Sequence, residues 1–149
     1  MPNTKYETNS KYGSTNAGTP GPKRFDLEDR TYLFAKRVRG FVKKLPRTLC
    51  NIEDVKQLVR ASGSVGANYI EANETLGKND FRMRIRISRK ESKESRYWLR
   101  LVDTHQDPAL NTEQDELVQE ATELMLIFAS ILRRSEQTDG AKQPTRKTT

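Results

Sequence analysis

The stretch Phe81-Arg82-Met83-Arg84-Ile85-Arg86-Ile87-Ser88-Arg89-Lys90-Glu91-Ser92-Lys93-Glu94-Ser95-Arg96-Tyr97-Trp98-Leu99-Arg100-Leu101-Val102 decides the fold. Two rows run through it in parallel. Phe81, Ile85, Ser88, Ser92, Ser95, Leu99 and Val102 make a seam that is apolar at its ends and serine-rich in the middle. Arg82, Arg86, Arg89, Lys93, Arg96 and Arg100 make a basic row one residue further on. Both rows advance by alternating three- and four-residue steps, which keep a row on one side of a helix. Strand-like alternation is confined to residues 83–87, inside this longer helical pattern. A helix with a buried seam and an adjoining charged row needs other helices to cover the seam.

Those helices lie on either side. Upstream, Leu27, Phe34, Val38, Phe41 and Leu45 share one face of a helix expected over about Asp26 to Lys44, stopped by Pro46. Asn51 is the expected N-cap of a second helix, with Asp54 in its first turn. Val55, Leu58, Val59, Ser62, Val65, Tyr69, Asn73 and Leu76 form its inner face, and Gly77 is the expected left-handed residue at its end. Asn79 is the expected cap of the third helix, which runs to about Thr104, before Asp107-Pro108. Thr112 is the expected cap of the fourth, with Asp115 at capping-box spacing. Leu117, Ala121, Leu124, Phe128 and Ile131 give the fourth helix a stripe that Val118, Met125 and Leu132 widen, as contact with more than one neighbour requires.

Connections of about six, two and seven residues make consecutive helices antiparallel neighbours. The expected fold is all-α, an antiparallel up-down-up-down four-helix bundle over residues 25–136, about 30–40 Å long at the helical rise of about 1.5 Å per residue. Residues 1–24 read as a disordered basic tail and residues 137–149 as a disordered C-terminal tail. Both are polar and too poor in apolar side chains to offset the entropy of ordering.

The second helix carries an unusual run, Ser62-Gly63-Ser64-Val65-Gly66-Ala67-Asn68. An interior glycine costs about 1 kcal/mol relative to alanine. The helical period continues through to Leu76, so the favoured reading is close approach of a neighbouring helix, with a break between two shorter helices as the alternative.

Two motifs carry a family resemblance. The run from Gly63 to Ala72, Gly-Ser-Val-Gly-Ala-Asn-Tyr-Ile-Glu-Ala, resembles the small-residue motif of the four helix bundle proteins, also called the 23S ribosomal RNA intervening-sequence proteins. The run from Lys90 to Leu101, which ends Tyr97-Trp98-Leu99-Arg100-Leu101, resembles the stretch in that family's third helix. Phe25-Asp26-Leu27-Glu28, Phe34, Ala35 and Leu45-Pro46 also fit. Ser92 and Ser95 stand where small apolar residues or threonine are frequent in the family. The resemblance covers about residues 25–135. It implies small antiparallel bundles that assemble as rings, as homopentamers. It also implies kinship with the accessory protein of diversity-generating retroelements, whose partners are nucleic acid and a reverse transcriptase.

The chain carries a net +7, of which residues 1–24 hold +3 and residues 137–149 hold +2. The expected bundle is therefore nearly balanced, and what matters is how its charge is arranged. Three readings of the basic row compete. It can be a solvated face, or one paired with Glu116, Glu120 and Glu123 of the fourth helix, within or between subunits. It can bind phosphates of nucleic acid, where arginine offers bidentate geometry and each neutralised phosphate releases counterions. It can bind an acidic protein. The nucleic-acid reading makes Arg82, Arg86, Arg89, Lys93, Arg96 and Arg100 the site. Tyr97 and Trp98 are expected to pack in a core or subunit interface, with stacking on bases as the alternative.

No enzyme is expected. His105 is the only histidine and falls at a helix end. Glu71 with Glu74, and Glu91 with Glu94, are carboxylate pairs without the histidines that a bundle metal site uses. Cys50 precedes a helix start but lacks a histidine partner, and as the only cysteine it forms no internal disulfide and fits a reducing compartment. No glycine-rich phosphate loop and no cofactor motif is present. With no secretory signal and no apolar run of about 18–20 residues, the expected setting is cytoplasmic and away from membranes.

Overall fold

The structure, a computed structural model, describes residues 26–140. The expectations for residues 1–24 and for 141–149 lie outside them. Four helices follow in order: α1 (Leu27–Val42), α2 (Leu49–Glu74), α3 (Lys78–Leu101) and α4 (Pro108–Gly140). The described residues contain no strand. Each helix packs on the two next to it around a square, α1 on α2, α2 on α3, α3 on α4 and α4 on α1. The backbones of the diagonal pairs stay farther apart, and side chains such as Tyr69 of α2 and Phe128 of α4 meet across the middle. This is the expected four-helix bundle.

The core is built from the expected stripes. Phe34, Val38, Phe41, Leu58, Val65, Ile85, Leu99, Leu117, Ala121, Leu124 and Phe128 are fully buried. Leu76 leaves the stripe assigned to it and is fully exposed, because α2 ends at Glu74.

Helix starts differ from expectation at three places. Thr48, not Asn51, caps α2, its Oγ1 accepting from the Asn51 N–H at 3.1 Å. Asn51 is instead buried inside the first turn. Its Nδ2 donates to the Pro46 and Asp103 carbonyls at 3.0 and 2.8 Å, and its Oδ1 accepts from the Asp103 N–H at 2.9 Å. One amide thus ties the α1–α2 and α3–α4 connections together. Gly77 is the N-cap of α3, with φ −107°, so the left-handed role expected of it is not used, and Asn79 lies within α3. Asp107 caps α4, accepting from the Ala109 and Leu110 N–H groups at 2.9 and 3.1 Å. Pro108 then occupies the first helical position, where a missing N–H is harmless. Thr112 is one turn inside, its hydroxyl donating to the Pro108 carbonyl. At the far end α4 continues to Gly140, four residues past the expected boundary. There the Asp139 carboxylate is held by Lys78 and Arg82, which keep its pKa below the usual value.

The small residues of α2 sit where helices come closest. A methyl group on Gly66 would lie 2.8 Å from Thr31 Oγ1 and 3.1 Å from Thr31 Cβ on α1. Thr31 is buried and its hydroxyl is bonded to the Glu28 carbonyl, so it cannot easily yield. Gly63 is less confined, since its nearest atom is the mobile end of Arg39 at 3.3 Å. On the other side Ser88 donates to the Val65 carbonyl at 2.9 Å, and Ser92 and Ser95 turn back onto their own helix. The serine seam of α3 therefore meets the small-residue run of α2, and α2 is continuous.

Glu91 also enters the α2–α3 seam. Its side chain is only 9% exposed, its Oε1 lies 3.6 Å from Arg60, and its Oε2 has no partner among the described residues. Burial raises its pKa, the neighbouring Glu94 adds to the rise, and Arg60 opposes it.

Two predictions follow from this packing. Gly63→Ala should stabilise the fold by up to about 1 kcal/mol through helix propensity and so raise the melting temperature, whereas Gly66→Ala should lower it, because overpacking costs about 1–3 kcal/mol. Thermal denaturation of the two variants checks the order, and equal effects would contradict the assigned close approach. For Glu91, a carboxyl whose folded pKa lies above its unfolded one stabilises fully below the unfolded pKa and loses that contribution as pH rises through the folded one. Glu91→Gln should therefore become more favourable relative to wild type from acid to neutral pH. A difference in melting temperature that does not change with pH would refute this.

Candidate functional site

The basic row of α3 lies on the flank nearest α4, and the structure divides it. Arg82 is 13% exposed. Its Nε donates to Ser135 Oγ at 2.9 Å, and its Nη2 donates to the Ser135 carbonyl at 2.6 Å and to Asp139. It is a fastener between α3 and the end of α4, the salt-bridged alternative for the row, made with Asp139 rather than with Glu116, Glu120 or Glu123. Arg86 is exposed, with a 3.4 Å contact to Glu136. Arg89, Lys93 and Arg100 are exposed and Arg96 is half-buried. None of these four has an ion-pair partner among the described residues. Lys90, beside the row, is exposed and unpaired in the same sense.

The acids expected to neutralise the row within the subunit face elsewhere. Glu120 and Glu123 pair with Arg30 at 2.6 and 3.5 Å, Glu116 with Arg37 at 3.3 Å, and Glu113 with Lys44 at 2.5 Å. All three cations belong to α1 or its exit. Burial opposes charge on Arg30, but its bond to Glu120 outweighs this and raises its pKa. The period explains the separation. Steps of three and four place Glu113, Glu116, Glu120 and Glu123 on one flank of α4 and the uncharged Val118, Thr122, Met125 and Ala129 on the other. The second flank borders α3, so the middle of the basic row runs beside neutral side chains.

The α2 side of α3 is paired. Arg60 bonds Glu94 at 2.9 Å and reaches Glu91, and Arg84 donates to Asn68 Oδ1 at 3.1 Å. These cross-links set the rotation of α3 and hence the outward aim of the cations. Arg84, Asn68 and Asn51 were not singled out for these bonds by sequence reasoning. A polar residue bonding a neighbouring helix has the same spacing as one pointing at water.

Trp98 is half-buried and packs against the core, as expected. Tyr97 does not, being 56% exposed with its ring 5.0 Å from that of Trp98 at 76°. The other candidates for chemistry are scattered. Glu71 and Glu74 are exposed on α2, Cys50 is exposed in its first turn, and His105 is exposed in the α3–α4 turn, 3.8 Å from Asp103. Among the described residues no three acidic, histidine or cysteine side chains cluster as metal ligands would, and no helix is long and apolar enough to cross a membrane.

Comparison with known proteins bears on this geometry. A search of curated proteins returns no match. Among solved structures, the chain is similar to a crystal structure of a protein with unknown function from the S23 ribosomal protein family, from Bacteroides thetaiotaomicron VPI-5482. The two are 26% identical with a TM-score of 0.61, over 72% of this chain and 98% of that one. The family model described as 23S rRNA-intervening sequence protein matches residues 23–130, which takes in α1, α2, α3 and most of α4. The chain belongs to the 23S rRNA-intervening sequence protein family.

Proposed function

We propose that the protein is a non-catalytic, self-assembling bundle that binds nucleic acid through phosphate contacts along α3. The observation that carries this is the run Arg89, Lys93, Arg96 and Arg100, whose charges have no carboxylate partner among the described residues. Like charges at i,i+4 destabilise a helix by about 0.2–0.5 kcal/mol per pair. A row that accepts this cost without internal relief is suited to an external polyanion. Contacts of this kind go to the backbone and carry little sequence preference. Arg82 is left out of the binding set because α4 already occupies it, and Arg86 is a marginal member.

Assembly into a ring, a pentamer by resemblance, would repeat the row in every subunit and give multivalent contact. The resemblance also supports an accessory role beside an enzyme such as a reverse transcriptase. A second reading keeps the row for subunit contacts. The exposed Glu71 and Glu74 on α2 favour it, since they too lack ion-pair partners among the described residues.

The test is a titration of labelled single-stranded and duplex nucleic acid at two salt concentrations. Wild type should bind more weakly as salt rises. A variant with Arg89, Lys93, Arg96 and Arg100 all changed to alanine should lose most affinity, and its salt slope should shrink by about 0.7–0.9 for each lost contact. Equal binding by both proteins, or none by wild type at low salt, would sink the nucleic-acid reading. Sedimentation at micromolar concentration should give an oligomer for wild type, and a monomer would remove the ring. An oligomer lost in the alanine variant would favour the subunit-contact reading.

A further inference from the structure

We infer that the α3 surface takes single-stranded rather than duplex nucleic acid, with a base stacked on the Tyr97 ring. This rests on the phosphate-binding reading above and names the ligand class more narrowly. Tyr97 stands among the unpaired cations. Lys93 is four residues before it, Arg100 three residues after it, and Arg96 adjacent, so the first two are its neighbours on the helix surface. More than half of the side chain is open to solvent, and its hydroxyl has no hydrogen-bond partner among the described residues. The ring is not loose, however. It lies in an edge contact with Trp98, which is itself packed on the core. A propped aromatic loses little freedom when a second ring covers it, so more of the stacking energy appears as affinity.

The pairing of a ring with cations discriminates among polyanions. A duplex offers phosphates to Lys93, Arg96 and Arg100 but keeps its bases inside the stack. An acidic peptide offers carboxylates and no base to stack. A single strand offers both phosphates and open base faces, the combination that non-specific single-strand binders use. The exposed Met83 and Leu101 lie on the same outward side of α3 as Tyr97 and extend the apolar surface beside the row.

The experiment uses the full chain and four probes: oligothymidylate of about 12 nucleotides, the same length of abasic strand, the matching duplex, and oligoglutamate. Wild type should bind oligothymidylate most tightly. Tyr97→Ala should lose about 5- to 100-fold on oligothymidylate, in line with the stacking range, and change little on duplex. Tyr97→Phe keeps the ring and should keep the affinity. The abasic strand should bind wild type about as weakly as oligothymidylate binds Tyr97→Ala. Trp98 is the chain's one tryptophan, so its emission should respond to oligothymidylate and not to the abasic strand. Equal binding of single strand and duplex, or no effect of Tyr97→Ala, would overturn the stacking inference. The phosphate reading would still stand if the four-alanine variant had lost binding. Oligoglutamate binding as tight as oligothymidylate would overturn the ligand class, and failure of every probe would overturn both readings.

Discussion

The bundle depends on how closely its neighbours can approach α2. On one side Gly66 lies against Thr31 with no room for a methyl group. On the other, Ser88 reaches the Val65 backbone across a seam of fully buried serines. These contacts fix α1 and α3 at short distances from α2, and the larger side chains of α4 fill the remaining space. Leu117, Leu124 and Phe128 are all fully buried there, and Tyr69 meets Phe128 with ring centroids 5.7 Å apart. The largest core side chains thus come from α1 and α4, and small residues line the faces between α2 and its neighbours. The glycine that lowers helix propensity is thus offset by packing at the site where its lack of a side chain is used.

The same arrangement sorts the charges. Once α4 is seated between α1 and α3, its glutamates face Arg30, Arg37 and Lys44, and its neutral flank faces the cations of α3. Exposed pairs of this kind are worth about 0–1 kcal/mol each, so their main effect is on specificity of packing. They favour one rotation of α4 over others that would bury its apolar stripe about as well. Arg82 and Asp139 act in the same way at the far end, holding residues whose composition alone gives them no reason to be helical.

Much of this was legible in the chain. The number of helices, their stripes, the antiparallel order and the close approach at Gly66 follow from periodicity and residue size, which are local properties. Helix caps were not. Asn51, Asn79 and Thr112 are all good cap types, yet Thr48, Gly77 and Asp107 hold the positions. Asn51 forms bonds to a connection more than fifty residues away in sequence, and no window around it contains that information. The basic row was visible, but its division was not. Whether Arg82 is occupied depends on where α4 ends, and whether Glu116 meets α3 or α1 depends on the rotation of α4. Tyr97 and Trp98 were both expected in a core or a subunit interface, and only Trp98 packs on the core of this chain. Adjacent residues on a helix point about 100° apart, and only one of the pair faces the core.

The partition of charge between the flanks of α4 has a kinetic consequence. Arg30, Arg37 and Lys44 are matched at short range by carboxylates, so their field falls off quickly, whereas the cations along the middle of α3 have no ion-pair partner among the described residues. The described bundle therefore has an unmatched basic stretch along α3, and such a lopsided potential would turn it toward a polyanion as it diffuses. Association would be faster than random collision with the whole surface, and added salt would slow arrival by screening this orienting field.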